Sequence, residues 1–455
     1  MRAVLAEAFD IIREIRARGR LAVIVGGAVR DLVLGRPLTD VDLATDMPLD
    51  ELSSLFKTHA VGRSEKFATV VIVSGGRAFE ISRFRRSGQE RAGPDGAAIS
   101  RECFDPLRVD TAHRDFTINT LLMGLDGAVI DLQGGLEDLR NHVVRCVGSP
   151  AERFAEDPAR ILRAVRFAAC LGFRIEGGTA EAIAGGAPQL ATVAGERIGK
   201  EIVKIASQPG AALADALTLM DRFGLLGSLL PEVRDLQGLP QPIEWHPEGD
   251  AWEHTLAALR SSTSSDPAVN LAVLLHDVGK HPAHREVGGR HHYRGHESAG
   301  ARIVDVVARR LRLPHLQRQA VAFAVEHHMQ ARRFAELRRS TLLALLANPH
   351  WPVLRSLALC DIAARGAETA VASLDAAFCD AEADAAAELE SRSGAAVITG
   401  SRIMELTGLP PGPRIGEILR RVGEWAQDNR VEDRARIETE VTRAAGLPTP
   451  EQPGS

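Results

Sequence analysis

The sequence predicts an α+β protein: an α/β head of about 145 residues leading into an all-helical body. Three observations predict it. Strand-like apolar runs alternate with amphipathic helical stretches up to about residue 145. Strand signals nearly vanish from Ala151 onward, and Ala-, Leu- and Arg-rich helical patterns then run to the end. At 455 residues the chain is also too long for one core of ordinary size.

The elements follow in order. Met1 to Arg20 alternates apolar and charged residues as an amphipathic helix does, and Leu21 to Val25 is an apolar strand. Gly26-Gly27 then turns the chain into a short helix. Thr39 to Thr45 reads as a strand, as do Val70 to Val73 and Phe79 to Ile81. In the body, prolines mark the breaks: Leu239 to Pro247, Asn348 to Pro352, and Leu409 to Pro413 ahead of a helix near Ile415. The last residues, Pro448 to Ser455, are expected to fray. Four segments result: 1–145, 146–238, 239–390 and 391–455.

Composition narrows the function classes. The longest apolar runs, Leu21 to Val25 and Leu271 to Leu275, fall far short of the roughly 20 residues of a membrane span. Five cysteines (Cys103, Cys146, Cys170, Cys360, Cys379), odd in number and without a C-x-x-C pair, read as reduced core residues. A cytoplasmic location is expected. The net charge of −5 argues against indiscriminate coating of nucleic acid. Arginine nevertheless recurs densely from Ala301 to Thr341, where a helical face could follow phosphates.

Chemistry enters at the glycines. A strand running through Gly26 and Gly27 into a helix lets backbone N–H groups approach a phosphate, with Arg30 close by. Next comes Thr39-Asp40-Val41-Asp42-Leu43. The period of two in a strand sets Asp40 and Asp42 on one face and Val41 and Leu43 in the core. Two carboxylates so close repel unless a cation lies between them, and hard oxygen ligands suit Mg²⁺. Glu80, on a later strand, supplies a third acid for a metal-assisted phosphoryl transfer.

Three motifs, Gly26-Gly27-Ala28-Val29-Arg30-Asp31, Asp40-Val41-Asp42-Leu43-Ala44-Thr45 and His113-Arg114-Asp115-Phe116-Thr117-Ile118-Asn119, carry a resemblance. Together they resemble the bacterial class II tRNA nucleotidyltransferase and poly(A) polymerase family over nearly the whole chain. The resemblance implies a polymerase-β-like head, with Asp40, Asp42 and Glu80 as catalytic acids and Mg²⁺ held by Asp40 and Asp42. It implies that Arg114 meets phosphate oxygens, Asp115 accepts from a ribose hydroxyl and Asn119 contacts the triphosphate. His113 stands where the family usually has a first Arg; Arg83, Arg85 or Arg86 would substitute.

Phe154-Ala155-Glu156-Asp157-Pro158-Ala159-Arg160 is similar to the family's nucleotide-reading helix, which extends the binding set to Arg163. On a helix, Glu156 four residues before Arg160 forms an ion pair that holds the guanidinium. Asp157 and Arg160, three apart, share a face and offer one acceptor beside one donor. Cytosine and adenine match that pattern; uracil and guanine present the reverse. Gly195-Glu196-Arg197-Ile198 resembles the next family motif and is expected to brace this helix.

Further on, His254, His276-Asp277, His296, His327 or His328, and Asp361 fall in the order of HD-domain metal phosphohydrolases. Asp277 follows the apolar run Leu271 to Leu275, where a buried charge demands a cation. Imidazole with carboxylate suits Ni²⁺, Mn²⁺ or Fe²⁺ as well as Mg²⁺. His281, His284, His291, His292 and His315 have no place in that pattern. The final motifs, Ile398 to Arg402 and Leu409 to Gly416, resemble the tails of family members, which would grip the tRNA body.

Expected substrates are therefore tRNA, CTP and ATP. One alternative is a poly(A) polymerase or an A-adding enzyme, decided by the loop from Arg86 to Asp110. The alternative from another class is an HD phosphohydrolase with a non-catalytic RNA-binding head.

Overall fold

Ala22-Val23-Ile24-Val25 forms a strand, β1, with all four side chains buried, as in a strand covered on both faces. It lies inside a seven-stranded sheet. In chain order the others are β2 (Asp42–Thr45), β3 (Thr58–Val61), β4 (Thr69–Ser74), β5 (Arg77–Arg83), β6 (Leu122–Met123) and β7 (Val129–Ile130). Their spatial order is β3-β4-β5-β2-β1-β6-β7. This computed structural model describes residues 2–38, 40–61, 69–84, 106–241, 249–391, 398–429, 431 and 433–447.

Within this sheet the parallel pairing of β2 with β5 places the acids. Leu43 lies opposite Ile81 and Ala44 opposite Ser82, so one step back Asp42 stands beside Glu80. Asp42 and Glu80 are exposed, while Val41, Leu43, Phe79 and Ile81 are buried. One expectation needs correcting: the strand begins at Asp42, and Asp40 precedes it in the connection. The exposed-buried alternation from Asp40 to Leu43 still leaves both carboxylates in solvent.

At the turn after β1, Gly26 takes φ 71° and ψ −127°, a conformation essentially closed to residues with a Cβ. A Cβ there would also sit 3.1 Å from Arg114 Nη1. The short strands β6 and β7, at two residues each, are too brief to show a period and escape the sequence pattern. Strands do recur in the body, as a two-stranded hairpin of Arg285–Val287 and Arg290–His292.

Beyond the head, the reading of one helix through Asp157 fails. Pro150–Glu156 and Ala159–Leu171 are separate helices, because Pro158 has no N–H for an intrahelical bond. Asp157 caps the first with extended backbone, φ −151° and ψ 95°, and its Oδ1 accepts from Ala159 N at 3.2 Å. The second helix ends at Gly172 in the left-handed region.

The chain divides into two units: Met1–Ile205 with Asp215–Leu229, and Ala206–Ala214 with Leu230–Ser455. In the second, the helix Pro267–Leu275 is buried at every residue from Ala268 to Leu275, as a helix apolar all round must be. Around it pack the helices Ala251–Ser261, His315–Arg332 and Trp351–Ala363. The Asn348–Pro352 break is the start of that last helix, with Pro352 in its first turn. Gly279 has an ordinary φ of −74°, yet a Cβ would lie 2.0 Å from His296 O and 2.5 Å from Gly300 N. The turn after Asp277 thus rests backbone on backbone against the helix His296–Arg310. Residues Ile403, Ile415, Ile418, Val422, Ile437 and Val441 form a core of their own in the tail. Among the described residues no helix is long and apolar enough to cross a membrane.

Candidate functional site

In the head, desolvation first, and then the charges of Glu80 and Asp40, push the Asp42 carboxyl up, with Arg114 and Lys204 opposing. Crowding of this kind is relieved by a cation, and an all-oxygen donor set fits Mg²⁺. The three acids do not close on a single point. Among the described residues, the only groups of three potential ligands within 4.8 Å of one another lie in the body.

Beside them runs a line of part-buried ion pairs and hydrogen bonds. Arg30 forks onto Asp31 with Nε and Nη2, both at 2.9 Å, and donates from Nη1 to Asn119 Oδ1 at 2.7 Å. Asn119 in turn donates to Asp115 Oδ1 at 3.1 Å, and Arg163 Nε donates to Asp115 Oδ2 at 2.7 Å. Asp115 is held below the usual carboxylate range: desolvation pushes it up, but the Arg163 charge and hydrogen bond and the Asn119 bond outweigh it. Asn119 therefore links Arg30 to Asp115 within the protein, whereas the sequence reading aims it at a triphosphate. Arg114 pairs with Asp110, Nε to Oδ2 at 3.0 Å, while His113 Nδ1 lies 2.7 Å from Val109 O in the helix that ends just before it, Pro106–Ala112. Arg83 ends β5; Arg85, Arg86 and most of the loop up to Asp110 lie outside the described residues.

Sequence reasoning missed Phe167, Arg166 and Glu201. The Phe167 ring has Arg166 4.0 Å, Arg30 5.0 Å and Arg163 5.5 Å from its centroid. Buried Glu201 accepts from Arg166 Nε. The available signal was the helical spacing of Arg163 and Arg166.

At the helix break, Glu156 Oε2 meets Arg160 Nη1 at 2.9 Å, as the spacing predicts. Arg153 O accepts from the same Nη1 at 3.0 Å, so the buried guanidinium is fixed from two sides. Arg197 does more than brace: its Nη2 lies 2.7 Å from Asp157 Oδ2. Desolvation raises the Asp157 carboxyl, but the Arg197 hydrogen bond and charge, Ala159 N and Arg160 bring it below its ordinary value.

The body gathers His254, His276, Asp277, His296, His328 and Asp361, none more than 6% exposed. Of His327 and His328, which the sequence leaves as alternatives, it is His328 that joins the cluster. Val321, Ala324, Val325 and His328 form the buried face of their helix, and His327, one step round, meets Gln330 Oε1 instead. Two groups could each hold an ion: His254, His276 and Asp277, and Asp277, His296 and His328. Asp361 belongs to neither, although its Oδ1 lies 3.1 Å from His254 Nε2. Asp277 Oδ2 and Asp361 Oδ2, both buried, accept no aligned hydrogen bond, although Lys280 Nζ and Arg332 Nε lie 2.6 and 3.5 Å away as charge partners. Under-satisfied oxygens beside imidazoles are the donor set of a divalent metal site.

Electrostatics agree with that fit. Desolvation raises Asp277, yet His276, Lys280 and His296 hold it well below the carboxylate range. Asp361 is likewise low, desolvation being outweighed by the His254 hydrogen bond and by Arg332. Burial, then the charges of His276 and His296, lower His328 to about 3. Next to the cluster opens a cavity of ≈ 660 Å³ lined by Lys280, Arg294, Arg332, Arg333 and Arg365.

Comparison with known proteins bears on these sites. Residues 22–145 match the poly A polymerase head domain. Residues 172–236 match the probable RNA and SrmB-binding site of polymerase A, and residues 252–362 the HD domain. The multifunctional CCA protein of Pseudomonas paraeruginosa is 36% identical over 335 residues, 71% of this chain and 78% of that protein. This chain belongs to the class II CCA-adding enzyme family. Another member, the CCA-adding enzyme of Geobacillus thermodenitrificans, is 38% identical over 61% of this chain and 64% of its own length. The Bacillus stearothermophilus CCA-adding enzyme in complex with CTP superposes with a TM-score of 0.65 at 25% identity, covering 96% of each chain. The Thermotoga maritima CCA-adding enzyme complexed with tRNA shares the fold, with a TM-score of 0.57 at 20% identity.

Proposed function

We propose that this chain adds C and A to the 3′ end of tRNA without a template, taking CTP and ATP and releasing pyrophosphate. The observation that carries the reading is the break at Asp157-Pro158. It fixes one carboxylate and, three residues on, one guanidinium, Asp157 tied to Arg197 and Arg160 to Glu156. An acceptor beside a donor pairs with the N4 and N3 edge of cytosine or the N6 and N1 edge of adenine, and mismatches uracil and guanine. The bases are thus selected by protein side chains alone.

Asp42, Glu80 and Asp40 are the residues that would hold divalent metal, Mg²⁺ by their oxygen chemistry. Bound there, it would activate the RNA 3′-hydroxyl and neutralise charge at the α-phosphate. Arg114 and Arg30 place cationic groups near the Gly26 turn for the phosphates. The Asn119-Asp115-Arg163 line holds the sugar-binding side of the pocket.

The HD segment is read as a phosphohydrolase acting on phosphate esters, 2′,3′-cyclic phosphates included, with Ni²⁺, Mn²⁺, Fe²⁺ or Mg²⁺. The cavity wall carries Lys280, Arg294, Arg332, Arg333 and Arg365 against Asp277, Glu297, Glu336 and Asp361, so metal bound by the buried cluster would supply most of the attraction for an anionic substrate. Removing a terminal phosphate would return a free 3′-hydroxyl to the head. In this reading 1–145 is the catalytic head, 146–238 the nucleotide-reading neck, 239–390 the HD segment and 391–455 the tRNA-gripping tail, all in the cytoplasm.

The test is a product ladder. Transcripts ending before CCA, after C and after CC are offered CTP, ATP or both. Two Cs from CTP, then one A from ATP, is the expected pattern. Long A tails from ATP alone would make it a poly(A) polymerase, and A added only after CC would make it an A-adding enzyme.

A further inference from the structure

We propose that Gln241 is a substrate-binding residue of the cavity in the HD segment, donating from its amide nitrogen to a sugar oxygen of a nucleoside phosphate ester. The proposal deepens the phosphohydrolase reading and rests on it for the reaction, while the contact itself follows from how Gln241 is held.

Gln241 stands between two prolines in the chain, Pro240 and Pro242. A residue before proline is steered away from helical backbone, and Tyr293 Oη donates to Pro240 O. The stem of the side chain is thereby set at the cavity wall, where Gln241 is only 9% exposed. Lys280, itself buried, donates from Nζ to Gln241 Oε1 and lies 2.6 Å from Asp277 Oδ2. An ammonium group only donates, so the end of the amide that faces it is the oxygen, and the other end is Nε2. That nitrogen is buried, and among the described residues its N–H groups have no acceptor.

Buried donors are satisfied almost everywhere in folded proteins, so one left over in a cavity wall calls for a partner that arrives with a ligand. The surroundings say which oxygen it meets. Phosphate oxygens have guanidinium groups to meet on the same wall, Arg294 among them, and a neutral amide competes poorly with those for a charged acceptor. A neutral donor matches a neutral oxygen. The cavity, at ≈ 660 Å³, also encloses a whole small molecule and not a phosphate group alone. Because a single ammonium group separates Gln241 from Asp277, its reach falls on the part of an ester just beyond the phosphate. In an RNA end that part is the ribose.

The experiment compares full-length wild type with Gln241→Glu and Gln241→Leu. Glutamate keeps an acceptor for Lys280 and removes the donor; leucine removes both. The two esters are adenosine 3′-phosphate, whose oxygens beyond the phosphate all belong to the sugar, and phenyl phosphate, which has no sugar. Both variants should lower kcat/KM for adenosine 3′-phosphate about tenfold more than for phenyl phosphate, the loss of one hydrogen bond. Calorimetry should show the same relative loss in Kd, with the head identical in all the proteins. An added charge or a displaced Lys280 acts on both esters and cancels in the ratio. Equal losses on the two esters would make Gln241 a support for Lys280 and overturn the proposal, as would an unchanged ratio in Gln241→Glu alone. Were wild type to release phosphate from neither ester, the phosphohydrolase reading would fall and the calorimetric ratio would still decide the contact, a loss in both variants upholding it and an unchanged ratio overturning it.

Discussion

Asp40, Asp42 and Glu80 stand exposed on and beside adjacent strands of the head, whereas six ligand candidates in the body are buried to 6% exposure or less. The two regions gather acids by different means. In the head the Asp42 side chain still reaches solvent, although the protein around it is the first cause raising its carboxyl, and a cation arriving with a triphosphate would relieve both that and the repulsion. In the body, desolvation leaves each acid dependent on fixed partners: Lys280 beside Asp277, Arg332 and Arg365 beside Asp361. One site suits a metal that comes and goes with substrate; the other suits a resident.

The largest expected effect breaks the head alone. Asp42→Ala should reduce CTP and ATP incorporation by at least about 10³, near the upper range for losing a group that stabilises transition-state charge. Its melting temperature should hold or rise, because a repelling carboxylate is gone; a fall of many degrees would mean that the head, too, depends on its acids for stability.

His276→Ala with Asp277→Ala should abolish phosphate removal from 3′-phosphate or cyclic-phosphate RNA ends, yet still extend a hydroxyl-ended tRNA. It should also melt earlier, since buried Lys280 would keep its hydrogen bond to Gln241 but lose its charge partner, a loss of up to roughly 3–5 kcal/mol. Equal extension of phosphate-ended tRNA by wild type and mutant would remove the repair role. Loss of extension on the hydroxyl-ended tRNA would show that the two regions are not independent.

A smaller effect belongs to the helix break. Asp157→Ala or Arg160→Ala should weaken discrimination against UTP and GTP by about 1–3 kcal/mol, measured as the ratio of kcat/KM values. Unchanged exclusion of both would show that the base edge is read elsewhere.

The last is a pH effect of opposite sign in the two regions. His328 and His296 have folded pKa values below their unfolded ones, so the unfolded chain takes up protons first as pH falls. Their contribution is complete above about pH 6.5 and drains below it, for His328 by about 1.4 kcal/mol per pH unit in metal-free protein, with His296 acting in the same direction. Asp42, pushed up, instead favours the folded head once acid protonates it. Thermal melts of chelated protein between pH 7 and pH 5 should show the loss, and metal should suppress it.

Much of this was legible in the sequence, for reasons that particular residues make plain. Asp42, Glu80 and the His276-Asp277 pair sit in local patterns, a strand alternation and an apolar helix, that announce their placement. Between His327 and His328 the sequence reading did not decide, and the buried face of Val321, Ala324 and Val325 does. Pro158 likewise advertised the helix break. What no local pattern encodes is the line from Arg30 through Asn119 and Asp115 to Arg163, whose bonds join residues 89 and 48 apart in the chain. Those pairings exist only once the sheet and the helix Ala159–Leu171 have met.

Gly279 has a consequence beyond its own turn. Its contact with His296 O and the Gly300 backbone involves main chain only, so the distance from Asp277 to His296 is riveted by peptide units and not by rotamers. Side chains elsewhere in a warm protein hop between wells and let neighbours drift. A spacing held by two backbones has no such slack: it stays constant until the helix His296–Arg310 separates, and then it is lost in one step.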